Sequence, residues 1–299
     1  MRAVWEEFFA ELEPGARILD ICTGNGAIAL IANQVSRAGG KGFEIHGIDR
    51  ARIDPAATLG IDRELLAGIH FHAGQAAERT AFADEYFDAV TGQYALEYTD
   101  VPATLLEIAR LLRLGGQCRF VMHHAGSIVL ETGHEELGHA RLLFEETALF
   151  ERCRELMRCM AHSRTPDERR ALAQDADAEE KRQRLNAAAA DVSAAIERSA
   201  HPEMLRTALG HLSRAWQALH EGGVEPATAL LDEAEREIRA NEARLRDLEK
   251  AAFDAGRIET LVSHLRRAGL SCTAAALHHE AVEGVRHLVG WLITGQRNS

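Results

Sequence analysis

The chain has 299 residues, 46% of them hydrophobic and 27% charged, enough for one large domain or two modest ones with cores of their own. A net charge of −12 and a pI near 5.7 disfavour a general nucleic-acid binder, which shows a basic face, and equally disfavour adhesion to an anionic membrane surface. With no signal pattern, no apolar run approaching ~20 residues and five scattered cysteines without C-x-x-C spacing, a cytoplasmic chain with reduced thiols and no membrane span is expected.

Trp5, Phe8, Phe9 and Leu12 recur at helical spacing, so residues 3–12 read as an amphipathic helix that Pro14-Gly15 stops. "RILDI" (17–21) follows as a strand apolar on both faces, as buried parallel strands are. A helix over 26–36 leads to a second strand, "FEIHGID" (43–49), then a third, "IHFHAG" (69–74), and a fourth, "FDAVTGQ" (87–93). A helix over 101–116 with a glycine stop precedes the fifth strand, "QCRFVMHH" (117–124). This alternation predicts right-handed crossovers and a doubly wound parallel sheet.

From about 129 to 255 no strand pattern remains. Thr165-Pro166-Asp167-Glu168 has the capping-box form. Three apolar seams follow at helical spacing: Leu185, Ala189, Val192, Ile196; then Leu205, Leu209, Leu212, Trp216, Leu219; then Leu231, Ala234, Ile238, Asn241, Leu245, Leu248. They predict antiparallel packed helices with charged outer faces. The α/β pattern returns with a helix over 257–270, a strand over 271–279 and a last apolar strand over 287–297, expected at the sheet edge. The expectation is one α/β domain, 1–128 and 256–299, interrupted by a helical insertion, 129–255. Its first part, 129–160, would be a lid or substrate wall, and 165–250 a scaffold or homodimer surface.

The stretch "ILDICTGNGAIAL" (18–30) holds the chemistry. A strand that ends in a glycine turn and opens a helix offers free backbone N–H groups to a ligand. Gly24 and Gly26 let that ligand approach closely, and Asp49, at the end of the second strand, is placed to take both hydroxyls of a ribose. Gly24, Gly26 and Ala29 also fit the dinucleotide form G-x-G-x-x-A. Asp20 argues otherwise: a carboxylate there opposes an anionic pyrophosphate and suits the cationic groups of S-adenosylmethionine.

With these residues the chain resembles the class I S-adenosylmethionine-dependent methyltransferases. "LDICTGNGAIAL" is similar to their first motif, with Cys22 where the family often has a further glycine. "IHGIDRA" resembles the second, and "FHAGQAAERTAF" falls where the family has a glycine-aspartate-alanine segment beside the adenine. "FDAVTGQYALEYTD" and "LLRLGGQCRFVMHH" resemble the fourth motif and the segment after it. The resemblance covers about 15–125 and the C-terminal helix and strands. It implies a Rossmann-like, doubly wound, seven-stranded sheet with its last strand antiparallel. It implies methyl transfer from S-adenosylmethionine to a small-molecule oxygen, nitrogen or carbon by in-line displacement. Around the cofactor it places Asp20, Thr23, Gly24, Asn25 and Gly26 from the first turn, and Asp49 and Arg50 from the second strand. It adds Gly74, Gln75 and Ala76 from the third, with Gln75 in place of the aspartate, and Gln93 and Tyr94 from the fourth.

A base, where the nucleophile needs one, belongs near the ends of strands four and five, which makes Tyr94, Glu97, His123 and His124 the candidates. "HFH" (70–72) and "HEELGH" (134–139) lack metal-ligand spacing, so no metal centre is expected. Two other readings stay open: a non-catalytic S-adenosylmethionine-binding protein whose helical insertion mediates interaction, and an NAD-type oxidoreductase.

Overall fold

The computed structural model describes residues 1–59, 63–161, 165–280 and 284–298. It divides the chain into two compact units, one of Met1–Ile128 with Ala251–Ser299 and one of Val129–Lys250.

The first unit is built on a seven-stranded sheet in the order β3-β2-β1-β4-β5-β7-β6. The strands are β1 (Arg17–Ile21), β2 (Glu44–Asp49), β3 (Ile69–Ala73), β4 (Phe87–Gln93), β5 (Leu112–Met122), β6 (Leu270–Glu280) and β7 (Arg286–Arg297). β1 to β5 run parallel, and β7 is antiparallel to both β5 and β6. This is the doubly wound sheet with an antiparallel last strand that the sequence predicts. Helices α1 (Arg2–Glu11) and α2 (Ala27–Gly39) bury Trp5, Phe8, Phe9 and Ala29 against Ile18 and Ile45. Two short helices, α3 (Pro55–Leu59) and α4 (Arg63–Leu66), lie between β2 and β3 in the chain. In a second cluster, α5 (Val101–Leu111) and α12 (Ala255–Arg267) bury Leu105, Ile108, Leu261 and Leu265 with Leu19, Val90 and Phe120. Asp100 caps α5 by accepting the Ala103 N–H.

Two elements differ from the sequence expectation. The helix predicted to run to 116 ends at Leu111, because Leu112 turns extended, pairs with Phe87 and becomes fully buried. Core burial of one leucine outweighs another helical turn there. The last strand is not at the edge either. β7 lies between β5 and β6, and β6 is outermost. Trp291, Leu292 and Ile293 make β7 apolar on both faces, whereas β6 is mostly exposed.

The second unit is helical: α6 (Ile128–Arg141), a π turn (Leu142–Glu146), α7 (Leu149–Met160), α8 (Pro166–Ala173), α9 (Ala176–Arg198), α10 (Glu203–Gly222) and α11 (Val224–Ala251). The capping box at Thr165 and Glu168 forms in full. The buried seams run through Leu185, Ala188 and Val192, then Leu205, Ala208, Leu212 and Ala215. Ala208 and Ala215 are buried where the sequence pattern pointed to Leu209 and Trp216, and Ala188 where it pointed to Ala189. Arg154 of α7 pairs with Asp232 and Glu235 of α11, at 2.8 and 2.6 Å. No helix among the described residues is long and apolar enough to cross a membrane.

The return of the chain to the sheet is stitched within the first unit. Phe253 N–H donates to His123 O (2.9 Å), Ala125 N–H donates to Phe253 O (3.0 Å), and Trp291 Nε1 donates to the same carbonyl (2.8 Å). The end of β5 is thereby fixed by residues distant in sequence.

Candidate functional site

β1 carries the chain into the sheet's carboxyl edge, where the backbone turns sharply. Cys22, Gly24 and Gly26 all take left-handed φ angles, of 48°, 54° and 80°. Gly26 has no room for a side chain: a Cβ would lie 2.7 Å from the Phe71 ring. Gly24 differs, since nothing lies within 4 Å of where its Cβ would be. The turn therefore packs down through Gly26 and opens outward at Gly24. Asn25 beside it is exposed.

Asp49 ties this turn to the next strands. Its Oδ2 accepts the Gly24 N–H and its Oδ1 the Ala51 N–H, both at 2.8 Å. Its carbonyl accepts the Gln75 N–H at 2.9 Å, and Ala51 O accepts the Gly74 N–H at 3.2 Å. Gly24, Asp49, Gly74 and Gln75 thus meet along one edge, with Ala76 half-buried and Arg50 exposed beside them. An open groove of about 340 Å³ adjoins Phe71, lined also by Ile53, Pro55 and Ile69.

Asp20 lies beneath the turn at 2% exposure. Thr23 Oγ1 donates to its Oδ2 (2.5 Å) and Thr91 Oγ1 to its Oδ1 (3.0 Å). Burial pushes its carboxyl up to about 7, against the lowering effect of those hydroxyls. Asp20, expected from the sequence beside the ligand, is a buried group that bonds the loop at Thr23 and β4 at Thr91. Cys22, above it, has its thiol pushed up to about 12 by burial and by the carboxylates of Asp49, Asp20, Glu78 and Glu97. A thiol so surrounded is an inert packing group.

The ends of β4 and β5 hold the second group. Tyr94 also takes a left-handed backbone, φ 52°, with its N–H donating to Val121 O at 2.7 Å. Its ring stacks on His123, centroids 4.0 Å apart. Glu97 Oε1 lies 2.8 Å from both the His123 backbone N–H, which it accepts, and the ring Nδ1, while Glu97 Oε2 is buried without a hydrogen-bond partner among the described residues. Two predicted residues are occupied elsewhere. Gln93 Oε1 accepts from Trp5 Nε1 (2.7 Å), and His124 stacks on Trp291 while its Nδ1 accepts the Gly126 N–H. Alternation along the strand end separates the two histidines, so they do not act as one pair.

The sequence reading passed over Thr91, Glu78, Phe71 and Trp5. Thr91 is opposite Asp20 in the β1–β4 register, which only the pairing reveals. Glu78, three residues after Gln75, accepts the Asp100 N–H at 3.0 Å. No group of three or more His, Cys, Asp or Glu among the described residues is arranged to hold a metal ion. An adenosine-bearing cation fits these residues. Gly24 is open where a ligand must approach, each Asp49 oxygen keeps a further lone pair, and the carboxyl groups of Asp49 and Asp20 bond to the turn itself.

A family model described as a methyltransferase domain matches residues 12–183. The ubiquinone/menaquinone biosynthesis C-methyltransferase UbiE of Xanthomonas campestris is 34% identical over 120 residues, which are 38% of this chain and 46% of that protein. UbiE of Xylella fastidiosa is 33% identical over 120 residues, with the same shares. The match thus spans less than half the length of these relatives. Among solved structures, the Bacillus YcgJ protein aligns over 100% of this chain and 98% of its own, at 17% identity and a TM-score of 0.41. With the motif order, the strand order and a family match over more than half its length, the chain belongs to the class I S-adenosylmethionine-dependent methyltransferases.

Proposed function

We propose that the protein transfers a methyl group from S-adenosylmethionine to a small-molecule acceptor by in-line displacement. The observation that carries this reading is the open, left-handed Gly24, whose N–H is held by the Asp49 carboxylate. Asp49 would take the ribose hydroxyls with its remaining lone pairs. The half-buried Gln75 and Ala76 would flank the adenine, and Asp20 would balance the ligand's positive charge from below. Bound there, the cofactor supplies a methyl group already activated on a cationic sulfur. The chain's own part is to orient the acceptor atom behind that methyl and to keep water away. Tyr94, Glu97 and His123 are the groups assigned to the acceptor side. The related proteins are named for C-methylation, so carbon stands beside oxygen and nitrogen as the acceptor atom.

Calorimetry with S-adenosylmethionine and with NAD tests the cofactor: binding of the first is expected, and tight binding of NAD alone overturns the reading. Incubation with methyl-labelled S-adenosylmethionine and a metabolite extract tests the reaction. Label should appear in a small molecule, and cofactor binding without any transfer would leave a binding protein instead.

A further inference from the structure

We infer that Glu97 and His123 form a proton-accepting pair, so that the acceptors are small molecules whose methylated atom must lose a proton. This rests on the methyl-transfer reading above, and it excludes proton-free nucleophiles such as thioethers and tertiary amines.

The geometry comes first. The Glu97 side chain has no exposed surface, and that of His123 is 10% exposed. Glu97 Oε1 lies 2.8 Å from both the His123 backbone N–H and ring Nδ1. A carboxylate oxygen only accepts, so Nδ1 carries the ring proton and Nε2 is left with the lone pair. The Tyr94 ring, 4.0 Å away and 20° from parallel, fixes the imidazole plane. Tyr94 is itself fixed, by its N–H to Val121 O and its hydroxyl to Val289 O at 3.4 Å. A ring so held has one basic nitrogen and little freedom.

The second observation is the other oxygen. Glu97 Oε2 is buried and has no hydrogen-bond partner among the described residues. Folding normally satisfies such atoms or avoids them. A carboxylate kept short of partners is a poor structural element and a good counter-charge for a cation that forms beside it. That cation is the imidazolium, which the Glu97 charge stabilises as an orienting carboxylate does in other acid–base pairs. Glu97 and His123 follow the carboxyl ends of β4 and β5, which run parallel beside β1, so the pair lies along the same sheet edge as the turn after β1. The pair therefore borders the methyl donor's side of the sheet edge.

The step balances. His123 Nε2 takes the proton from the acceptor atom while that atom's electron pair forms the bond to the methyl carbon. The carbon–sulfur bond breaks with its pair returning to sulfur, and the imidazolium then releases its proton to water. Glu97 touches neither reactant in this scheme and is a positioning residue.

Ring nitrogen NMR of the full chain labelled with ¹⁵N-histidine tests the pair, with His123 assigned from the His123→Asn variant. The Nδ1–H tautomer is expected for His123, lost in Glu97→Ala and weakened in Glu97→Gln, and its Nε2 signal should shift when S-adenosylmethionine is added. Circular dichroism and the urea unfolding midpoint show whether each variant is folded. The Nε2–H tautomer in the wild type, or no response of His123 to the bound cofactor, overturns the proposal. Mass spectrometry of the labelled product tests the acceptor class. The product should gain the mass of one CH₂ with its charge unchanged, and a product that gains CH₃ and a fixed positive charge refutes it. If S-adenosylmethionine does not bind the wild type at all, the functional reading fails while the tautomer result still judges the pair.

Discussion

At the ends of β1 and β2 the carboxylates are held by the protein's own donors, whereas at the ends of β4 and β5 one carboxylate oxygen is left without any among the described residues. Asp20 is bonded by Thr23 and Thr91, and Asp49 by two backbone N–H groups. Glu97 meets His123 through Oε1 alone. The first pair of strands thus makes a self-contained seat, shaped before any ligand arrives. The second makes an arrangement that gains most when a proton or cation appears. A seat needs rigidity, because the cofactor is the same in every turnover.

The sharpest way to break this contrast is to deform the seat. Gly26→Ala puts a Cβ into left-handed backbone and 2.7 Å from Phe71. The conformation and the overpacking together should cost roughly 2–5 kcal/mol of stability. Urea unfolding followed by circular dichroism reads this directly, and an unchanged midpoint would mean that the turn is not rigid.

Asp20 shows what the seat's enclosure costs. Its folded pKa of about 7 lies above the ordinary 3.8, so the folded state holds a proton that the unfolded state has lost. Its contribution to stability is present at low pH and is lost as pH rises from 3.8 through about 7. Asp20→Asn removes that loss, so the variant should be more stable than wild type near pH 8, by on the order of 3 kcal/mol, with little difference near pH 4. Its affinity for S-adenosylmethionine should fall near pH 8, where the wild-type carboxyl is charged, and change little near pH 4, where it is neutral. Denaturant unfolding at the two pH values, with calorimetry beside it, checks both signs. Equal stability at both would show the carboxyl to be well solvated.

Asp49→Ala asks whether a carboxylate that already accepts two N–H groups still serves a ligand. Loss of the ribose contacts should weaken S-adenosylmethionine binding by roughly 1–3 kcal/mol in calorimetry. Unchanged affinity would show that Asp49 only braces Gly24.

The two halves of the edge were not equally legible in the sequence. Strand, glycines and helix from 18 to 30 form one local pattern, and the distance to Asp49 follows from the crossover, so the seat could be read from spacing. Glu97 and His123 come together only because a short turn after β4 meets the end of β5, 26 positions later. Spacing does not decide between His123 and His124, or exclude Gln93, whose amide turns to Trp5 of α1. The misplaced start of β5 has the same origin. "ARLLRLGG" favours a helix locally, but the pairing of Leu112 with Phe87 is decided across the sheet. The order of the last two strands likewise depended on which had apolar residues on both faces, a comparison between strands that neither pattern contains.

Cys22 gives the smallest and most discriminating effect. It occupies the place of the family's further glycine with φ 48°, half-buried against the core. In right-handed or extended backbone glycine is worse than alanine by about 0.5–1 kcal/mol, whereas in left-handed backbone a Cβ costs about 1–2 kcal/mol. Both Cys22→Gly and Cys22→Ala lose the thiol's packing, so comparing them cancels that loss and leaves the backbone. The glycine variant should therefore be the more stable, by about 1 kcal/mol, a reversal of the usual order. If alanine is equal or better, the turn bears no tension at this residue, and rigidity of the seat rests on Gly26 alone. If glycine wins, the turn stores strain under the ligand, matched by the left-handed Tyr94 at the end of β4. The two halves would then differ in their polar bonding but share one device, a side chain held in unfavourable backbone where the strand ends face the reaction.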